Sequence, residues 1–165
     1  MSVFQELLAI KTFRKNKAEM ALSRSRLMLA DANAARDLMQ QRLTEYRKQA
    51  DEQEKAWYRD LCTRIVRLAD IEDLQQSVVM LRQRERNHEE ALAEAEKARQ
   101  QATEAFNTDR EQLAVANRMR EKFVELAQAH EMEVGRESER KEDLEMEEAA
   151  SVSRDREEWG GVEND

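Results

Sequence analysis

No proline occurs anywhere in this chain, and its three glycines stand at Gly135, Gly160 and Gly161, so nothing before Gly135 forces the backbone out of a helix. The remaining residues are mainly Ala, Leu, Met, Gln, Glu, Lys and Arg, each a good helix former, and no segment reads as a strand. Leu, Ile, Val and Phe together supply less than a fifth of the chain while 39% of it is charged, a balance that also suits a disordered polyampholyte. The order of the apolar residues decides between the two, because they recur at helical spacing.

In the first arm Ala21, Met28, Ala32, Ala35, Met39, Leu43, Tyr46, Ala50 and Trp57, with Ser25 and Gln53 at the polar steps, are mostly spaced by alternating threes and fours. That is a heptad seam, too narrow for a globular core and in need of a partner helix. An extra four-residue step after Trp57, to Leu61 and Ile65, is a stutter that unwinds the supercoil locally. The second arm keeps the alternation from Leu74 and Val78 through Leu81, Glu85, His88, Leu92, Ala95, Arg99, Phe106, Asp109 and Leu113 to Arg120, Phe123, Ala127, His130 and Val134. Arg99 and Arg120 are expected to lay their stems along the seam and carry their charge outward.

Asp70 offers an N-cap for the second arm, with Glu72 and Asp73 in its first turn, where the helix dipole favours negative charge. Arms of residues 4–68 and 71–134 then have nearly equal lengths, roughly 95 Å each at 1.5 Å per residue, and can pair throughout. The expected fold is all-α: a long two-helix antiparallel coiled-coil hairpin over residues 1–135, with its tip near 69–70. The alternative is a continuous helix paired with a second molecule. Residues 136–165 carry a net charge of −7 out of −8 for the whole chain, and with Gly135 as a helix stop they read as a flexible, acidic, partly disordered tail.

Chemistry is hard to place on such a chain. There is no phosphate-binding glycine loop, Cys62 has no second cysteine to pair with, and Glu85-Arg86-Asn87-His88 lacks the second Glu-x-x-His and the extra glutamates of a di-iron bundle. No catalytic residue, cofactor or metal is expected. No run approaches the roughly 18 apolar residues needed to cross a bilayer, so a soluble cytoplasmic protein without membrane insertion is expected, monomeric when alone. The stretch from Met1 to Ala30 is only modestly basic, which argues against nucleic acid.

Function is therefore sought in surfaces. Phe4, Leu7, Leu8, Ile10 and Phe13 go nearly all round a helix, more than one partner helix can cover. Tyr46 and Trp57 fit the seam, while Tyr58 points off it. Around the tip, Ile65, Val66, Leu68, Ile71, Val78 and Val79 spread over more than one face. These features also suit a generic coiled-coil scaffold or a membrane-remodelling protein.

The segment Leu7-Leu8-Ala9-Ile10-Lys11-Thr12-Phe13-Arg14-Lys15-Asn16-Lys17-Ala18-Glu19-Met20-Ala21-Leu22 contains an Ile-Lys-x-x-Arg stretch followed by Ala-Glu-x-Ala. It resembles the opening of the YscO (SctO) family of type III secretion stalk proteins, related to flagellar FliJ. The resemblance implies a non-enzymatic stalk, peripheral to the inner-membrane secretion apparatus, whose open end enters a hexameric export ATPase. Phe4, Leu7, Leu8, Ile10, Lys11, Arg14, Phe123 and Val134 are the residues it implies for ATPase contact. It also implies contact with the cytoplasmic domain of the export gate through Leu43, Tyr46, Leu81 and His88. Ser77 stands where the family has an aromatic four residues before that leucine. Secretion chaperones are further partners that the resemblance implies.

Overall fold

Helix α1 spans Val3–Cys62 and helix α2 spans Leu68–Gly161 in the computed structural model, which describes residues 2–161. The two helices pack against each other as an all-α helical hairpin, as the heptads predict. Ser2 caps α1: its hydroxyl accepts from the Gln5 N–H at 3.3 Å and its carbonyl from the same N–H at 3.1 Å.

The turn falls at residues 63–67, earlier than the expected 69–70, and Leu68 opens α2 instead of ending α1. Local capping sets this position. Thr63 donates through its hydroxyl to the Asp60 carbonyl at 2.9 Å and through its N–H at 3.3 Å, closing α1. On the other side Arg67 is the N-cap residue, and Asp70, three residues into α2, accepts from the Arg67 N–H at 3.0 Å. Asp70 thus supplies the reciprocal half of a capping box rather than the N-cap itself. Ending α1 at Cys62 puts Ile65 in the turn, where it is 99% exposed and takes no part in a seam.

The structure divides into two units. In the unit of residues 18–113 the α1 seam runs through Ser25, Leu29, Ala32, Arg36, Met39, Leu43 and Tyr46 to Ala50, in strict steps of four and three. Leu29, Arg36 and Glu54 therefore take the places expected for Met28, Ala35 and Gln53; Met28 is 66% exposed. Two of the polar seam positions are partnered from α2: Glu54 pairs with Arg82, and the hydroxyl of buried Ser25 donates to Asp109. Arg36 reaches Glu96 only at 3.7 Å, donates to Asp37 on its own helix at 3.2 Å, and among the described residues leaves its buried Nε without a hydrogen-bond partner. The α2 seam follows the expected register, apart from Arg99, which is exposed.

In the unit of residues 1–17 and 114–165, Ala127 is buried, while Phe4, Leu7, Leu8, Phe123 and His130 are half-buried and Val134 is exposed. Gly135 lies inside α2 and does not stop it, and every described residue from Glu131 onward is exposed. The acidic segment is thus an outward helical extension as far as Gly161, where a partly disordered tail is expected from charge alone. Residues 162–165 of that expected tail lie outside the described residues.

Candidate protein-interaction site

The resemblance implies two sets of partner-binding residues, and each falls within one unit. In the first unit Phe4 stacks on His130 with ring centroids 5.1 Å apart and planes at 48°. Gln5 donates to the Glu131 carboxylate at 2.9 Å, Arg120 donates to Thr12 at 3.3 Å, and the Lys11 ammonium sits 5.2 Å from the centroid of Phe123. Phe4, Lys11 and Phe123 accordingly hold α1 against α2 and Leu7 and Leu8 are half-buried, whereas Ile10, Arg14 and Val134 are exposed. Phe13, outside the ATPase set, is the most exposed aromatic of this segment at 67%. Its neighbours in sequence signalled an all-round apolar helix, but only the position of α2 shows which side remains open.

The second set lies wholly in the other unit and comes together across the seam. The Tyr46 hydroxyl donates to the Leu81 carbonyl at 2.8 Å, and its ring lies 4.7 Å from that of His88. Leu43, one turn before, is 3% exposed. Tyr46 and His88 thus meet across the helix pair and Leu81 takes part through its main-chain carbonyl, so the donor of Tyr46 is already used.

Beside them runs a charged lattice that the heptad reading did not reveal. Arg47 donates to Glu85 at 3.1 Å and to Glu89 at 2.8 Å; Arg82 donates to Glu85 at 2.8 Å and reaches Asp51 at 3.4 Å as well as Glu54. Hydrogen bonding to Arg82, and then to Arg47, holds the Glu85 carboxyl below its usual range despite partial desolvation. The Arg82 guanidinium is held above its usual value, first by Glu85 and then by Glu54. The three-residue step from Arg82 to Glu85 was visible in the sequence, but the two arginines converge only once α1 lies alongside α2.

Glu85 is thereby committed to arginines and His88 to Tyr46, and among the described residues no group of three or more His, Cys, Asp or Glu is placed to hold a metal ion. The concavities are open grooves, such as the one beside the turn lined by Trp57, Leu61, Asp70 and Leu74. Among the described residues no helix is long and apolar enough to cross a membrane.

The fold is that of a coiled-coil helical hairpin. The family described as type III secretion protein YscO matches residues 4–152, and the chain belongs to that family. It is also similar to a crystal structure of type III secretion protein YscO from Vibrio parahaemolyticus, at 27% identity and a TM-score of 0.83, over 88% of this chain and 91% of that one. Comparison with curated proteins gives no match.

Proposed function

We propose that this type III secretion protein is the central stalk of the export apparatus, a non-enzymatic part that engages the hexameric export ATPase and stimulates it. The observation that carries this reading is the unit in which the first turns of α1 lie against α2 while Val3, Ile10, Phe13 and Arg14 remain exposed. A helix pair with an apolar and basic outer face can seat in a ring and touch its subunits unequally. Unequal contact biases their conformations without bond chemistry in the stalk.

The export-gate contact is proposed for the stretch around Leu43, Tyr46, Leu81 and His88. There the four residues fix the two helices in register, and the Arg47 and Arg82 lattice lies at the surface beside them. Secretion chaperones are further proposed partners, and the proposed location is the cytoplasmic face of the inner membrane.

Pull-down by the cognate export ATPase, together with its turnover with and without this protein, tests the reading. Binding and faster turnover are expected, both reduced at least tenfold by Phe13→Asp with helicity unchanged. Absence of both with the unaltered chain removes the stalk. Retention on anionic vesicles without any effect on the ATPase would support a membrane-surface scaffold instead.

A further inference from the structure

Helix α1 carries a second apolar stripe that α2 does not cover. Met20, Arg24, Leu27, Asp31, Ala34 and Leu38 follow one another in steps of four and three, and all six are exposed, Met20 at 63% and Leu27 at 65%. At about 100° per residue this stripe lies about 150° round the helix from Ser25, Leu29 and Ala32, which face α2. Its spacing is that of a coiled-coil seam, with a basic residue and an acidic residue seven apart at equivalent positions.

Among the described residues those two charges have no ion partner in their own helix. The residues three and four away from Arg24 are Met20, Ala21, Leu27 and Met28; those around Asp31 are Leu27, Met28, Ala34 and Ala35. The ion pairs across the seam of this unit run from Arg36, Arg47 and Arg82 and reach neither.

We infer that this stripe binds the same stripe of a second copy, turned end for end. Full antiparallel overlap sets Met20 against Leu38 of the second copy and Leu27 near the centre. Arg24 then lies within one seam step, about 4.5 Å along the axis, of Asp31 in the other copy, and the pair forms twice. A parallel arrangement would instead set Arg24 against Arg24 and Asp31 against Asp31, which like charges oppose. A two-fold axis makes one self-complementary patch sufficient. The covered apolar surface comes mainly from Met20, Leu27 and Leu38 of each copy, which are 63%, 65% and 44% exposed, and that places the contact among small, weak interfaces. A chain read from its sequence as a monomer is thus given a weak, concentration-dependent dimer.

Sedimentation of the full chain from about 10 to about 500 µM spans the range expected for an interface of that size. A Cys62→Ser background is used because Cys62 is exposed and could link two copies through sulfur independently of the stripe. Dimer formation is expected, weakened about tenfold by Arg24→Asp or Asp31→Arg alone and restored to within about threefold by the two together, since the swapped pair attracts again. Leu27→Asp should leave a monomer of unchanged helicity. The inference is overturned by a chain that stays monomeric throughout, by a dimer indifferent to the charge reversals, or by Leu27→Asp impairing only ATPase binding in a monomeric chain, which would give the stripe to that partner.

Discussion

Residues 74–113 and 131–161 of α2 are built from much the same helix-forming residues, yet the first stretch lies against α1 and the second is exposed at every described position. The difference is one of order. Leu74, Leu81, Leu92, Phe106 and Leu113 keep to one face, whereas Leu144 and Met146 point about 160° apart and Val152 lies about 80° from the first and about 120° from the second. Propensity and oppositely charged pairs such as Glu137 with Lys141 and Arg154 with Glu158 favour a helix at about 0.2–0.5 kcal/mol each. They do not bring it a partner. Helicity and association are thus separate properties of this chain, and only the apolar period governs the second.

Truncating one leucine that packs across the helix pair and one on the outward stretch separates the two properties by the largest margin. Leu43→Ala removes a side chain that is 3% exposed against α2 and should cost about 2–4 kcal/mol in urea unfolding followed by circular dichroism. Leu144→Ala should leave that transition where it was. Equal losses from the two would mean that the outward stretch is packed in solution.

A smaller effect, on the order of 1 kcal/mol, is expected for Glu85→Gln, which takes the shared carboxylate from Arg47 and Arg82. Because the folded-state carboxyl titrates below its unfolded value, the charge contributes fully above the ordinary glutamate range, near pH 4.3. That contribution is lost as the pH falls through the lower, folded value. The stability gap between the unaltered chain and Glu85→Gln should therefore be flat from about pH 5 to 8 and close below about pH 4. A gap that survives at pH 3 would assign the loss to packing.

The smallest change is Gly135→Ala. Nothing lies within 4 Å of where its Cβ would stand, so the substitution should stabilise the outward stretch locally by up to about 1 kcal/mol. Slower amide exchange around residue 135 with an unchanged seam transition is the expected pattern. A shift of the whole transition would join the two stretches into one cooperative unit.

Much of this could be read from residue order alone. The α2 seam, with Phe106, Leu113, Phe123 and Ala127 facing inward, follows from a period that tolerates little choice. On α1 the sequence offers near-equivalent neighbours, and the choice of Leu29 over Met28 or Arg36 over Ala35 is unresolved until α2 places Glu96 within reach of the guanidinium. The turn at 63–67 is hard to place from sequence for a related reason: without glycine or proline its signal lies in hydrogen bonds from Thr63 to Asp60 and from Arg67 to Asp70, which many Ser, Thr and Asp residues could make equally well.

Residue order and composition alone make this protein helical, give it a heptad seam and concentrate its net charge beyond Gly135, because these depend on local propensity, period and composition. Tertiary structure decided which residues the seam consumes. Tyr46 and His88 meet each other where α1 and α2 pair, while Phe13 and Leu27 remain exposed because each helix presents only one side to the other. A free surface is what pairing leaves over, and pairing is a property of two segments together rather than of either one.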